Sequence, residues 1–366
     1  MPDAEPLLLT PGPLTTSGRV KQAMLHDYGS RDKRFIELNR GVCDKLLSLC
    51  DADRTHLCIP LQGSGSFAVE AMLANQLPRE GKLLNLVNGA YGHRVTEICR
   101  YLGRQVSVLE TAEHQPVDLA ALDRALAADA GITHVAVVYC ETTSGIMNPL
   151  AQVAQVVATH GRKLLIDAMS AFGALPLSAA DTPFAALAAS ANKCLESVPG
   201  LGFVIAEQAT FAATAGNAHS LSLDLYQQWR YMNDTGQWRF TPPTHCLLAL
   251  HEALQQLAEE GGVTARRRRY QDNCRTLVQG MRELGFETLL PDNLQAPIIV
   301  TFLLPEPEAF SFEEFYRRLH DKGFVIYPGK LTQQDSFRIG CIGHVTPEQM
   351  AAAVSAVAQV LRELRR

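Results

Sequence analysis

The sequence lacks several features that would mark other classes of protein. No apolar run approaches the ~20 residues that a membrane-spanning helix needs. The start, MPDAEPLLLTPGP, has neither a basic segment nor a long apolar core. We therefore expect no secretory signal and a cytoplasmic location. The nine cysteines are an odd number and form no C-x-x-C pair, which favours reduced thiols over a disulfide framework.

Charge and histidine spacing exclude two further classes. The net charge is -5, so the chain carries no basic excess for binding nucleic acid. The 11 histidines show no metal-ligand spacing, and we expect no metal. Hydrophobic residues make up 47% and charged residues 19% of the sequence, which is typical of a folded globular protein. Its length of 366 residues suggests two to three domains, or one large and one small domain.

Strand and helix patterns alternate through most of the chain. Apolar runs predict strands at 57–61, 82–87, 105–109, 134–140, 164–167 and 202–206. Helical patterns lie between most of them, which predicts an α/β fold with a doubly wound, mostly parallel sheet. The remainder predicts a smaller α+β unit. We place an N-terminal arm at 1–16, a large domain at 17–257 and a small C-terminal domain at 258–366.

The stretch at 164–194 is the strongest candidate for chemistry. It begins with a short apolar strand that ends in Asp167, and it closes with Lys193 among small residues. An acid at a strand tip and a lysine shortly after it are typical of a pyridoxal phosphate site. Lys193 would form the Schiff base with the cofactor aldehyde, and Asp167 would keep the ring nitrogen protonated. A structural explanation is equally good, in which Asp167 caps a helix at the end of the strand and Lys193 is an ordinary surface lysine.

A glycine and serine loop, QGSGSFA at 62–68, opens a predicted helix. Backbone N–H groups at a helix start bind phosphate. No Gly-Lys-Ser/Thr follows, so the loop is not a Walker A loop. Its Gly-x-Gly-x-x-Ala pattern matches a loose dinucleotide fingerprint, which leaves an NAD-dependent oxidoreductase as a distant alternative. Asn85 and Asn88 stand where such an enzyme would carry an acid.

Other segments are ambiguous on their own. Tyr91 lies in a predicted glycine loop at 88–94, where it could cover a flat ring or simply pack. Arg338 lies inside a predicted strand, where it either faces water at the edge of the sheet or binds a ligand.

The polar and aromatic segment 220–244 is predicted as a long functional loop. The arginines at 266–269 are predicted to form the solvated face of a helix.

Together the motifs resemble the class V aminotransferases of the aspartate aminotransferase fold. The likeness covers nearly the whole chain. It rests on the segments LLLTPGPLTTS (7–17), LQGSGSFAVEA (61–71), VNGAYGHR (87–94), CETTSGIMNP (140–149), IDAMSAFGALP (166–176), SANKCLESVPG (190–200), SLSLDLYQQW (220–229), GQWRFTPPTH (236–245) and KGFVIYPGKLTQQDSFRIGCIG (322–343). One departure is Arg31, because a tryptophan is expected before Asp32.

The resemblance implies roles around the cofactor ring. Lys193 is the Schiff-base lysine and moves the proton. Asp167 pairs with the ring nitrogen. Tyr91 stacks on the ring, and Thr143 hydrogen-bonds the ring oxygen.

The resemblance also implies how phosphate and substrate are held. Ser64, Gly65 and Ser66 surround the cofactor phosphate. Thr241 reaches the phosphate in the neighbouring protomer, which implies a homodimer with shared sites. Arg338 binds the acid group of the substrate.

Within the family, the motifs are most similar to enzymes that move the amino group of 2-aminoethylphosphonate to pyruvate. An alanine– or serine–glyoxylate aminotransferase would share the lysine, the aspartate and the arginine, so it remains the main alternative. A cysteine desulfurase is less well supported, because no cysteine lies in a convincing mobile loop.

Overall fold

The computed structural model describes residues 5–305, 310–327, 332 and 334–364. Residues 328–331 and 333 of the motif at 322–343 therefore lie outside the described residues, as do the first four residues of the predicted arm and the last two of the chain. Among the described residues, no helix is both long enough and apolar enough to cross a bilayer. All nine cysteines are described and none is disulfide-bonded.

The elements alternate as predicted through the first two thirds of the chain. The strands are β1 (Leu7–Leu9), β2 (His56–Gln62), β3 (Lys82–Val87), β4 (Gln105–Glu110), β5 (Ile132–Val138), β6 (Cys140–Glu141), β7 (Ile146–Met147), β8 (Lys163–Asp167), β9 (Ala186–Ser190), β10 (Leu201–Glu207), β11 (Ile299–Leu303), β12 (Phe324–Ile326) and β13 (Ser336–Gly340). The helices are α1 (Gly18–Ala23), α2 (Lys33–Ser48), α3 (Gly65–Gln76), α4 (Ala90–Tyr101), α5 (Leu119–Ala128), α6 (Leu150–Thr159), α7 (Gln208–Phe211), α8 (Leu225–Thr235), α9 (Thr244–Glu260), α10 (Gly262–Glu283), α11 (Phe312–Asp321) and α12 (Pro347–Leu364).

A seven-stranded sheet with the order β2-β10-β9-β8-β5-β3-β4 forms the centre of the molecule. Every pairing is parallel except those of β10, which runs antiparallel to β2 and to β9. Helices α2, α5, α6 and α9 cover one face, and α3, α4 and α8 cover the other. The mostly parallel, doubly wound sheet is confirmed.

The C-terminal part packs around its own core. Its apolar side chains come from α10, α11, α12 and the strands β11 to β13. The N-terminal arm joins this core, because β1 pairs in parallel with β12 and places Leu9 inside it. The arm therefore packs against the C-terminal core, whereas the domain boundary at 257/258 stays a prediction.

Three local predictions were wrong. No strand was predicted at 186–190, yet β9 runs through the middle of the sheet. The segment 220–244 is not one long loop, because it contains α8, whose start is capped by the Asp224 side chain and whose end is closed by Gly236 at φ 72°. The arginines at 266–269 are not all solvated, since Arg266 is only 2% exposed.

Candidate active site

A cavity of about 330 Å³ lies where the carboxyl ends of β2, β8 and β9 meet. Parallel strands present their following loops on one edge of the sheet, which is where open α/β folds bind ligands. Its walls include residues from α3, α4, the ends of β8 and β9, the loops that follow them, and the arm: Pro13, Ser64, Gly65, Ser66, Tyr91, Arg94, Asp167, Met169, Ser190, Asn192 and Lys193. The cavity therefore brings together six of the predicted site residues, namely Ser64, Gly65, Ser66, Tyr91, Asp167 and Lys193.

Lys193 follows β9 and points its amino group at the arm. Its Nζ donates a hydrogen bond of 2.7 Å to the carbonyl oxygen of Pro11. Burial, with a smaller contribution from the nearby Arg338, lowers the pKa of Lys193 to about 8, while Cys194 and Asp167 act in the opposite direction. A larger fraction of Lys193 is therefore a neutral nucleophile near neutral pH than for an exposed lysine.

Asp167 is the last residue of β8 and is 7% exposed. Its Oδ1 accepts a hydrogen bond of 3.0 Å from the backbone N–H of Met169. Burial raises the pKa of Asp167 to about 6, and the buried carboxylate of Glu141 contributes in the same direction. An acid and a base whose pKa values are both displaced by burial in one cavity are typical of a catalytic site.

The loop before α3 is built to hold an anion. Ser64 is the N-cap residue, but its hydroxyl makes no capping bond. A side chain at Gly65 would place its Cβ 2.4 Å from the sulfur of Met169, so the Met169 side chain would have to move. Ser66 Oγ accepts a hydrogen bond of 3.3 Å from Arg94. The free hydroxyl, the helix start and the guanidinium favour a phosphate group at this wall.

Tyr91 belongs to the first turn of α4, not to a glycine loop as predicted. The helix begins early because the buried carboxylate of Glu141 accepts the backbone N–H groups of Tyr91 and Gly92, each at 3.2 Å. Glycine is required at position 89, where a Cβ would lie 2.4 Å from the Glu141 side chain. The Tyr91 ring lines the cavity, with the Arg94 guanidinium 4.8 Å from its centroid.

Thr143 also stabilises the start of α4 through hydrogen bonds. Its hydroxyl donates a 2.6 Å hydrogen bond to Glu141 Oε1 and accepts one of 2.9 Å from the N–H of Ala90. The single hydroxyl proton is thus committed to Glu141. The predicted contact between Thr143 and the ring oxygen would require the hydroxyl to change partner, and it stays a prediction.

Arg338 is a buried arginine in β13, not one that faces water. It is 2% exposed, and its Nη1 donates a 2.7 Å hydrogen bond to the carbonyl oxygen of Thr142. Its guanidinium lies 4.8 Å from the centroid of the Tyr327 ring, and its buried Nε has no hydrogen-bond partner. This Nε–H is therefore available to a ligand, and the predicted role of Arg338 in binding an acid group stays a prediction.

Thr241 lies apart from these groups within the chain. It is exposed and lines a second cavity of about 290 Å³, together with Arg31 and Arg239. The structure therefore does not bring Thr241 to the cavity of Lys193 in the same chain, and its predicted contact across a dimer stays a prediction.

Sequence reasoning missed other residues of the cavity. Ser190 ends β9, is 3% exposed and has a hydroxyl with no partner. Asn192 and Arg94 also form the wall. The position of Ser190, three residues before Lys193, was an available signal. The contact of the arm with Lys193 left no local signal, because it joins distant parts of the chain.

Comparison with known proteins decides the family. The model of the family "Aminotransferase class-V" matches residues 18–334. The chain belongs to the class V aminotransferases. It is 58% identical over 359 residues, 98% of each chain, to the 2-aminoethylphosphonate–pyruvate transaminase of Pseudomonas putida strain W619.

Solved structures share the fold at lower identity. The pyridoxamine-pyruvate aminotransferase of Mesorhizobium loti superposes with a TM-score of 0.89 at 23% identity, covering 100% of this chain and 95% of that one. The alanine–glyoxylate aminotransferase of a Nostoc species gives 0.87 at 22% identity, covering 100% and 97%. At such identities the likeness concerns the fold alone.

Class V aminotransferases depend on pyridoxal phosphate, and the cavity fits this group. The uncapped helix start at Ser64 and the unpartnered hydroxyl of Ser190 suit its phosphate. The buried lysine suits its aldehyde, and the buried carboxylate of Asp167 suits its ring nitrogen. These features leave no role for the dinucleotide pattern at 63–68 as part of an NAD site.

Proposed function

We propose that this protein transfers the amino group of 2-aminoethylphosphonate to pyruvate, yielding phosphonoacetaldehyde and L-alanine. The observation that carries the proposal is the 58% identity, over 98% of the chain, to a relative of that name. The geometry supports it, because one cavity combines a buried lysine and a buried aspartate, with a buried arginine close enough to lower the pKa of the lysine.

The residues of the chain divide the work. Pyridoxal phosphate, when bound, supplies an electron sink for the carbon that loses its proton. Lys193 attaches the cofactor and then carries the proton, a role suited to an amine whose pKa burial lowers to about 8. Asp167 holds the ring nitrogen, while Ser64, Gly65 and Ser66 hold the phosphate.

Arg338 binds the acid group of each substrate in turn. A guanidinium forks onto two oxygens of a phosphonate or of a carboxylate, so one residue serves both half-reactions. Burial lowers the pKa of Arg338, but an arginine stays charged in proteins. Its charge in a poorly solvated site is therefore available to an anionic substrate.

Alanine formation tests the proposal. Purified protein with pyridoxal phosphate and pyruvate is given either 2-aminoethylphosphonate or serine, and Lys193→Ala serves as the inactive control. We expect alanine from the phosphonate. Alanine from serine alone would overturn the substrate assignment in favour of a serine–glyoxylate type of enzyme. Alanine formation by Lys193→Ala at the parental rate would show that another residue carries the proton.

We further propose a homodimer that shares its sites and acts in the cytoplasm. Leu221 is 67% and Phe240 49% exposed, and Phe240 borders the cavity that contains Thr241. Exposed apolar side chains beside a polar cavity are typical of a protein interface. The nine free cysteines suit a reducing compartment.

A further inference from the structure

A buried group of charges lies directly after the turn that carries Lys193. We call it the charge cluster, and it consists of Glu196, Glu260, Arg266 and Arg269. Arg266 is 2% and Glu196 6% exposed. Two cations and two anions balance each other, with Glu260 bound to Arg266 at 2.6 Å and to Arg269 at 2.8 Å.

One side of the charge cluster holds the segment after Lys193. Nη1 of Arg266 donates a 2.7 Å hydrogen bond to the carbonyl oxygen of Cys194. Glu196 Oε1 accepts from Arg269 at 2.7 Å and from the Tyr270 hydroxyl at 2.6 Å. Glu196 also has a left-handed backbone, with φ 59°. A non-glycine residue stays in that conformation only where its surroundings impose it.

The other side holds the segment that follows β13, the strand of Arg338. Nη1 of Arg269 donates to the carbonyl oxygens of Gly343 at 2.6 Å and Val345 at 3.0 Å. The N–H of Gly343 donates to the Tyr270 hydroxyl at 3.3 Å. Arg269 and Tyr270 therefore bind the segments next to Lys193 and next to Arg338 at the same time.

We propose that the charge cluster is a positioning device that fixes the separation between Lys193 and Arg338. The inference rests on the proposed function, in which Lys193 acts at the amino end of the substrate and Arg338 binds the acid end. A fixed separation sets an upper limit on the number of carbon atoms between these two groups, which is two in 2-aminoethylphosphonate and one in alanine. Glu196 and Arg269 are the key members, since their direct contact joins the two segments.

Stability alone is a weak explanation for such a cluster. Buried ion pairs often contribute little compared with apolar side chains of similar size, because desolvation offsets their attraction. They fix geometry, however, because every donor and acceptor has a direction. A positioning role therefore predicts an effect on substrate choice that a structural role does not.

The test compares 2-aminoethylphosphonate with 3-aminopropylphosphonate, which has one more methylene. We measure kcat/KM for both in the parent, in Glu196→Gln and in Arg269→Lys. Arg268→Gln is the matched control, because Arg268 is exposed on the same helix. We expect the preference of the parent for the shorter substrate to fall by about tenfold in the two cluster variants and to stay unchanged in the control.

Two further measurements separate positioning from burial of charge. Glu196→Gln combined with Arg269→Gln restores the charge balance, so its thermal midpoint should recover while its length preference stays reduced. Affinity for pyridoxal phosphate alone, followed by absorbance, should fall by about tenfold in Glu196→Gln, because the segment after Lys193 loses an anchor. If Glu196→Gln fails to fold, Arg269→Lys carries the comparison.

The outcomes distinguish this inference from the proposed function. A parent that makes no alanine from either phosphonate overturns the proposed function, and the cofactor affinity, which needs no substrate, then decides whether the charge cluster holds Lys193. Cluster variants with parental length preference and parental cofactor affinity, but a lower thermal midpoint, overturn the positioning role.

Discussion

The amino group of Lys193 donates a 2.7 Å hydrogen bond to the carbonyl oxygen of Pro11, so the N-terminal arm lies directly on this side chain. The next carbonyl, that of Gly12, is 3.4 Å from the same amino group. The arm thus supplies two hydrogen-bond acceptors for the amino group of Lys193. It also connects the lysine to the C-terminal core through the pairing of β1 with β12.

A side chain at Gly12 should disturb this contact. Its Cβ would lie 2.7 Å from Lys193 Cδ and from the Asn192 carbonyl oxygen, and φ is 117°. We expect Gly12→Ala to slow covalent attachment of pyridoxal phosphate by about tenfold. An alanine is strained at this positive φ, and its Cβ would push the arm away from its native position beside Lys193. The rate is followed by borohydride trapping. Gly18→Ala is the control, because nothing lies within 4 Å of its Cβ, and equal rates for both would contradict the role of the arm.

Replacing Asp167 by asparagine should stabilise the cofactor-free protein while impairing the enzyme. Burial raises the pKa of Asp167 from 3.8 to about 6, so above pH 6 the folded state contains an ionised carboxylate that burial disfavours. Each pKa unit is ~1.4 kcal/mol, which makes the expected gain for Asp167→Asn on the order of 3 kcal/mol at pH 8. Because asparagine can still accept from Met169, only the charge is removed.

The pH dependence checks the sign of this effect. The folded state binds its proton more tightly than the unfolded state, so the burial penalty grows as pH rises from about 4 to about 6 and is absent below that window. Urea unfolding of the apoprotein should therefore show the gain at pH 8 and not at pH 3.5. Asp181→Asn, at an exposed position, should show none. A gain that does not change with pH would point to packing instead of charge.

Arg338→Lys should weaken both half-reactions. Lysine keeps the charge but loses the fork and the contact with the Thr142 carbonyl. We expect kcat/KM for 2-aminoethylphosphonate and for pyruvate to fall at least about tenfold each, or ~1.4 kcal/mol in the barrier. Arg318→Lys, on the surface of α11, is the control. Loss in only one half-reaction would assign the other acid group to a different residue.

Thr241 can be tested with mixed dimers. If it acts across the interface, a hybrid of Lys193→Ala and Thr241→Ala protomers contains one intact site, with the lysine of one protomer and the threonine of the other. We expect mixing of the two variants to restore activity to about a quarter of the parent, because half of the dimers are hybrids with one good site. The shared-site model would be contradicted if the mixture were no more active than the Thr241→Ala variant alone. It would also be contradicted if size-exclusion chromatography showed the active protein to be a monomer.

Local patterns predicted those parts of the fold whose residues have a strong preference. The strand at 82–87 was predicted with the bounds that the structure has, since its apolar run has clear ends. The segment TPEQ at 346–349 predicts a capping box, and at the start of α12 Thr346 and Gln349 do exchange hydrogen bonds. The strand β9 was missed because alanine favours helices, and its small side chains serve contact with α3.

The candidate site was predictable where chemistry follows a strand and not where it depends on tertiary packing. Asp167 was predicted at the end of its strand and lines the cavity, whereas Lys193 was indicated only as a lysine among small residues, because β9 before it was not predicted. The burial of Arg266 was not predictable from four consecutive arginines, because only contact with Cys194 and Glu260 distinguishes it from Arg268. The helix start at Tyr91 depends on Glu141, which is distant in sequence.

The pairing of β1 with β12 also has a consequence for biosynthesis. Leu7 is translated long before Phe324, yet the two are neighbours. The pairing that anchors the arm therefore cannot form until Phe324 has been translated, because contacts between distant residues form only once both are available. All strands of the central sheet precede Phe324 in the chain, so this sheet is expected to form before the arm is anchored beside Lys193.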